Sequence, residues 1–329
     1  MRNLTAKIIG VGMSVPEKRL TNFDLEKMVD TSDEWISKRV GIKERRVAEE
    51  HEFNSQFATA AARDAVKMAG LKPEDIDFII VGTTTGDTAY PSVACIVQNN
   101  IGAVNAAVLD VAAACTGFIY AAGIAWSMIK SGMMKNILVI ASEVNTAMID
   151  WNDRDTCILF GDGAGAAVFT ATEEENTGVL SMELGGDGSC QELLVLPNSG
   201  SRKYTKPDGT PVLRAIQMTG NEVFKHAVRR MNEAALTVLE KAGLSNDDVD
   251  LLIAHQANIR IIEAVAKRLK LPPEKVYVNI HKYGNTSAAT IPIALCEAVQ
   301  EGRIKRGDLL VVDAFGAGLT WGAMAIRWA

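Results

Sequence analysis

Gly70-Leu71-Lys72-Pro73-Glu74-Asp75-Ile76-Asp77-Phe78-Ile79-Ile80 returns 173 positions later as Gly243-Leu244-Ser245-Asn246-Asp247-Asp248-Val249-Asp250-Leu251-Leu252-Ile253. Each copy reads as the end of a helix, a turn and a buried strand. A second echo lies further on: Ser131-Gly132-Met133-Met134-Lys135 before the apolar run 137–140 matches Glu301-Gly302-Arg303-Ile304-Lys305 before 309–312, now 170 positions apart. A third pairs Phe160-Gly161-Asp162-Gly163 with Phe315-Gly316-Ala317-Gly318. Three echoes in one order point to an internal duplication, with halves at 1–173 and 174–329 and the three-residue difference assigned to a loop.

Between the echoes, helical stretches such as 56–68 alternate with short apolar runs such as 78–81, the pattern of an α/β sheet covered by helices. The stretch 117–129 is apolar on every face and is predicted to be buried between layers. A five-layered αβαβα sandwich provides such a place. No linker or low-complexity segment divides the halves, and the polar, turn-rich stretch 197–211 is expected to be a surface excursion.

Composition narrows the function. In 329 residues, 48% hydrophobic and 22% charged, 34 Lys and Arg face 40 Asp and Glu, a net charge of −6. That argues against a basic nucleic-acid binder. No apolar run reaches the roughly 18 residues of a membrane span, and the N-terminus reads as strand material instead of a secretory signal. A cytoplasmic protein is expected. Five widely spaced cysteines without a C-x-x-C pair suggest neither a disulfide framework nor a zinc site.

Cys115 and Asn285 are 170 positions apart, the offset of the second echo, and so take equivalent places about a pseudo-two-fold. Each is read as following a short strand, 106–111 and 276–280, and opening a helix. Both then lie at carboxyl ends of strands, where open α/β sheets place ligands. At a helix start Cys115 is expected to favour the thiolate and act as a nucleophile at neutral pH, although a small core residue in an Ala-rich turn is the plainer reading. Cys95, Cys157, Cys190 and Cys296 have no such setting. His255 ends the run 251–254 and precedes the helix 259–269, which sets it apart from His51, His226 and His281, the last kept as a minor alternative.

Ala-Ala-Cys115-Thr-Gly-Phe, His255-Gln-Ala-Asn258, Gly284-Asn285-Thr-Ser and Asp-Ala-Phe315-Gly-Ala-Gly-Leu-Thr-Trp-Gly together resemble the β-ketoacyl-acyl-carrier-protein synthase III family of the thiolase superfamily, over essentially the whole chain. The resemblance implies a thiolase-like fold and a catalytic Cys115, His255 and Asn285 that start type II fatty acid synthesis. Cys115 takes an acyl group from an acyl-CoA primer, typically acetyl-CoA. Malonyl-acyl-carrier protein then loses CO2, and its enolate attacks the thioester. His255 Nε2 and the Asn285 amide suit the enolate oxyanion. A second oxyanion hole uses the backbone N–H groups of Cys115 and Ala317, where relatives commonly have glycine. Alanine serves there unless a positive φ is needed. No metal and no cofactor are implied, since CoA and phosphopantetheine thioesters are substrates.

Trp35 and Arg39 share a face after an N-cap at Thr31-Ser32-Asp33-Glu34. The resemblance places the CoA adenine between Trp35 and Arg154, with Thr31 and Arg39 nearby and Asn221 and Asn258 against pantetheine. Arg260 and Lys267, two helical turns apart, form a basic stripe that Lys225 extends. It reads either as a solvated helix face or, by resemblance, as the dock for an acidic acyl-carrier protein. Tyr90, Leu159, Phe160 and Met218 correspond to acyl-pocket residues, Tyr90 coming from the neighbouring subunit of a homodimer.

Two other readings stay open within and beyond the fold. A synthase-like enzyme of the same fold could make another thioester-derived product, such as a polyketide starter or hydroxymethylglutaryl-CoA, and plant-type polyketide synthases share Cys-His-Asn; a non-catalytic synthase partner would ordinarily lack the nucleophile. Thiolases need a second reactive cysteine, and elongating synthases a second histidine where this chain has Asn285.

Overall fold

A computed structural model describes residues 4–329. Nine strands make the two main sheets: β1 (Thr5–Ser14), β2 (Phe78–Gly82), β3 (Ala107–Val111), β4 (Asn136–Val144), β5 (Asp162–Thr172), β6 (Gly178–Gly186), β7 (Leu251–Ala254), β8 (Leu309–Gly316) and β9 (Thr320–Arg327). The first sheet runs β1-β5-β4-β2-β3 and the second β7-β8-β9-β6. In both, a parallel pair (β2 with β4, β7 with β8) is followed by an antiparallel neighbour (β5, β9).

Seven longer helices cover these sheets: α1 (Asp33–Val40), α2 (Asn54–Met68), α3 (Val93–Ile101), α4 (Gly117–Lys130), α5 (Gly220–Lys241), α6 (Ile259–Arg268) and α7 (Thr290–Gln300). Phe118, Ile119 and Ile129 of α4 and Ile291, Ile293 and Leu295 of α7 pack between Ile80 and Ile137 of one sheet and Ile253 and Leu310 of the other. Alternate residues Ile79 and Val81 turn outward under α2 and α3, while Leu252 and Val311 turn outward under α5 and α6. The strands read as unbroken apolar runs because both faces are covered, and the result is the expected helix-sheet-helix-sheet-helix sandwich. The stretch 197–211 is largely exposed, as expected.

Two details differ from the sequence reading. The first is the register of the duplication around the site. A one-turn 3-10 helix, Ala114–Thr116, leads into α4 and another, Ser287–Ala289, leads into α7, each opening on a left-handed residue: Ala114 at φ 44° and Ser287 at φ 53°. These turns are related by 173 positions, so Cys115 corresponds to Ala288, and Asn285 lies three residues ahead of that equivalence. The local offset of 170 arises because α7 has 11 residues against 14 in α4; the difference is nearly a helical turn and not a loop. A longer connection after Gly302 restores the register, and Asp77 and Asp250 then accept equivalent bonds from Asn136 N and Leu309 N, both at 2.8 Å.

The second concerns 276–280, which form no strand. Only a bridge from Val276 to Leu252 remains. The Gln256 side chain takes the backbone groups a ladder would use, donating to Tyr277 O at 3.2 Å and accepting from Asn279 N and Ile280 N at 3.1 and 3.2 Å.

Candidate active site

The parallel strand β2 ends at Gly82, where a Cβ would stand 2.7 Å from the backbone of Gly117. Bare glycine lets the start of α4 close onto the strand end, and this fixes Cys115 at the carboxyl edge of the sheet. Cys115 is 7% exposed. Burial pushes its thiol up to about 11, against a lowering hydrogen bond from Ser287, and the carboxyl of Glu143 pushes the same way as burial. The expected resting thiolate is therefore corrected: desolvation outweighs the helix-start field, and the thiol is protonated at neutral pH.

His255 follows β7, with its backbone N–H donating to Asp313 O at 2.8 Å. Its Nδ1 lies 2.7 Å from Thr290 Oγ1 at the head of α7. Burial pushes the imidazole down to about 3, so the ring is neutral. With one ring proton, Nε2 is a donor when the Thr290 hydroxyl donates to Nδ1.

Asn285 is held by its main chain: its N–H donates to Leu159 O at 2.9 Å and its carbonyl accepts from Gly161 N at 3.0 Å. Its Oδ1 accepts from Ser287 N at 2.8 Å, which leaves the Nδ2 donors available. Beneath this pairing lies the fully buried Arg45, whose guanidinium donates to Ile158 O, Leu20 O and Asn22 Oδ1 at 2.7, 3.1 and 3.0 Å. Burial lowers it to about 10, so it remains charged at neutral pH.

Cys115, His255 and Asn285 line one cavity, together with Leu159, Phe160, Met218 and Asn258. A second cavity shares Leu159, Met218 and Asn258 and opens past Asn221 and Arg260 to Trp35 and Arg39. The two make a passage from the α1 surface to the thiol. On the other side of Cys115 is a larger cavity of about 800 Å³, bordered by Phe160, Leu194, Ser287 and Ala317. Leu159 and Met218 thus line the way in, and Phe160 borders both sides. Tyr90 borders none of these cavities and is 85% exposed, although Thr88 and Ala89 reach the larger one.

Gly316 packs on the thiol turn, where a Cβ would come within 2.9 Å of Cys115 N. Ala317 is not among the described residues with positive φ, so alanine fits there without strain. Ser32 caps α1 by accepting from Trp35 N. Arg39 and Arg154 each sit 5.1 Å from the Trp35 ring centroid, both within cation–π reach of it. Thr31 Oγ1 is buried without a protein partner. Asn258 Oδ1 caps α6 by accepting from Arg260 N, which leaves its amide N–H groups for the passage. Arg260 stacks 5.2 Å from Phe224, Lys267 is exposed, and Lys225 is paired with Glu222 at 2.7 Å, which weakens its part in a basic patch.

Residue reasoning from sequence missed Ser287, Thr290, Gln256, Arg45 and Glu143. Glu143 is fully buried, accepts bonds from Thr83, Thr84 and Thr85, and is raised by burial to about 7. Ser287 and Gln256 carried a signal, since one ends the Gly284-Asn285-Thr-Ser motif and the other lies within His255-Gln-Ala-Asn258.

Two family models match the chain: 3-oxoacyl-[acyl-carrier-protein] synthase III over 109–188 and its C-terminal counterpart over 239–328. The β-ketoacyl-[acyl-carrier-protein] synthase III of Caldanaerobacter subterraneus subsp. tengcongensis is 53% identical over 326 residues, 99% of this chain and 98% of the relative. The crystal structure of 3-oxoacyl-[acyl-carrier-protein] synthase III from Aquifex aeolicus is 52% identical, with TM-score 0.90, covering 98% of this chain and 100% of that one. The priming β-ketosynthase of the R1128 polyketide pathway is 35% identical, with TM-score 0.92 over 98% and 96% of the two chains.

Proposed function

This chain belongs to the 3-oxoacyl-[acyl-carrier-protein] synthase III family of condensing acyltransferases, and from that premise we propose how its own residues carry out the reaction. The primer acyl-CoA lies in the passage with its adenine against Trp35 and Arg154, Thr31 and Arg39 beside it, and Asn221 and Asn258 along the pantetheine. Cys115 Sγ attacks the acyl carbon; the Sγ–carbon bond forms, the carbon–sulfur bond to CoA breaks, and the thiol proton leaves with CoA. The N–H groups of Cys115 and Ala317 hold the tetrahedral oxyanion, and the larger cavity takes the acyl chain.

Malonyl-acyl-carrier protein then enters by the same passage. Loss of CO2 puts negative charge on its thioester oxygen, which the His255 Nε2–H and the Asn285 amide stabilise. The enolate carbon attacks the acyl-cysteine, the new carbon–carbon bond displaces Sγ as a thiolate that takes up a proton from solvent, and 3-oxoacyl-carrier protein departs. Every polar group in this scheme belongs to the chain, and it calls for no cofactor. The basic Arg260 and Lys267 face the carrier, with Lys225 at the edge.

The homodimer is part of the proposal. β3 is an edge strand with Leu109 40% exposed, Val104 just before it is 73% exposed, and Tyr90, in the connection into α3, is exposed as well. Unpaired edges are templates for pairing, and a partner's Tyr90 can then complete the acyl cavity. Among the described residues no helix is long and apolar enough to cross a membrane; work on acyl-CoA and a carrier protein suits the cytoplasm.

The observation that carries this reading is the meeting of Cys115, His255 and Asn285 on one cavity wall. Intact-mass measurement after incubation with acetyl-CoA tests it. An acetyl adduct is expected on Cys115 and is absent in Cys115→Ser. A chain that takes no acyl group from any primer would be an inert synthase partner instead.

A further inference from the structure

Ser287 meets both sides of the chemistry. Its hydroxyl donates to Cys115 Sγ at 3.4 Å, and its backbone N–H donates to Asn285 Oδ1 at 2.8 Å. It is 4% exposed and borders the larger cavity with Cys115 and Ala317. Its φ of 53° is a conformation that non-glycine residues adopt only when the surroundings enforce it. The corresponding residue of the other half, Ala114, takes the same shape at φ 44° with no hydroxyl. The turn itself thus has no need of a serine, and the hydroxyl is aimed across the pseudo-two-fold at the sulfur.

We propose that Ser287 is a further catalytic residue of this site: its hydroxyl stabilises charge on the Cys115 sulfur during primer transfer, while its N–H aims the Asn285 amide for the condensation. The inference rests on the reading of Cys115 as acyl acceptor. Ser287 keeps its own proton throughout. Its hydrogen bond strengthens as the thiol proton departs toward the CoA sulfur and Sγ becomes thiolate-like, and weakens as the Sγ–carbon bond draws that charge into the acyl group, leaving a neutral thioester and CoA that carries the thiol proton. An interaction stronger at the transition state than at either end accelerates the step. The other ionisable groups near the sulfur give no such help. Glu143 opposes its ionisation, and His255 is neutral. Tyr120, Glu192, Tyr204 and Arg214 also border the larger cavity, and none of them is hydrogen-bonded to the sulfur.

The test is alkylation of Cys115 by iodoacetamide in the full chain, followed by peptide mass across pH for the wild type, Ser287→Ala and Ser287→Gly. Here the Sγ–carbon bond forms, iodide leaves and the thiol proton goes to solvent, so the sulfur is read without any acyl substrate. Both variants are expected to alkylate about 10- to 100-fold more slowly at pH 8, the effect of losing one hydrogen bond to a charged group, with the inflection moved to higher pH. Acetyl transfer falls in parallel, while malonyl-carrier decarboxylation, which uses the retained backbone N–H, changes little. Profiles that overlay the wild type overturn the proposal. So does slowing in Ser287→Ala alone, since glycine relieves the left-handed strain and would then restore the rate without a hydroxyl. If the wild type alkylates but accepts no acyl group, the acyl-acceptor reading fails while the effect on the sulfur stands.

Discussion

His255 is the residue whose electrostatics are most constrained. Its ring is desolvated, its Nδ1 is engaged by Thr290, and its pKa is displaced down to about 3 from 6.5. An imidazole in that state serves as a neutral donor and not as a cation. Malonyl-carrier decarboxylation by the proposed site should show no inflection near 6.5 between about pH 5 and 9, and an inflection there would mean the ring ionises during turnover. His255→Ala should spare acetylation of Cys115 more than decarboxylation. Thr290→Val removes the hydroxyl bonded to Nδ1 and should lower decarboxylation about 2- to 10-fold with acetylation retained. Equal loss in both half-reactions would contradict the division of labour between sulfur and imidazole.

Among the elements, α6 links chemistry to docking. It starts just after His255, is capped by Asn258, and presents Arg260 at the mouth of the passage. An apolar face of Ile261, Ile262 and Val265 anchors it to the second sheet, so its charged face keeps a fixed relation to the thiol. Arg260→Glu should raise KM for the malonyl carrier about five-fold and flatten its salt dependence, while acetyl-CoA acylation is nearly unchanged. Equal effects on both substrates would remove this face from the docking site. α4 and α7 illustrate a different control. Both are buried between the sheets, and the missing turn in α7 shifts nothing at their amino ends, where Cys115 and Thr290 sit.

On the scale of the whole molecule, the proposed acyl cavity is bordered by the residues around Tyr90 but not by Tyr90 itself. If a partner's Tyr90 closes it, Tyr90→Ala should shift primer preference toward longer acyl-CoAs in a protein that sediments as a dimer; an unchanged primer profile would exclude Tyr90 from the cavity. The layered architecture could be read from the chain because burial on both faces imposes unbroken apolar strands, and burial on all sides imposes an apolar helix such as 117–129. Cys115 and His255 were legible as candidates because each sits in a short motif that follows a strand; Asn285 was legible by its motif alone, since the strand read before it does not form. The pairing of Cys115 with Asn285 across the duplication was misread, since an offset measured after a shortened helix was carried back before it. Thr290 and Arg45 carry no sequence signal, because they act on residues 35 and 113 positions away, and the part that Gln256 plays in holding 277–280 is not visible from its place in the His255-Gln-Ala-Asn258 motif. Local patterning determined the main strands and helices, though not 276–280, where the Gln256 side chain takes the place of a strand partner. Only packing decided the protonation of Cys115 and His255, because desolvation depends on what the rest of the chain lays over a group, and no neighbour in sequence records that.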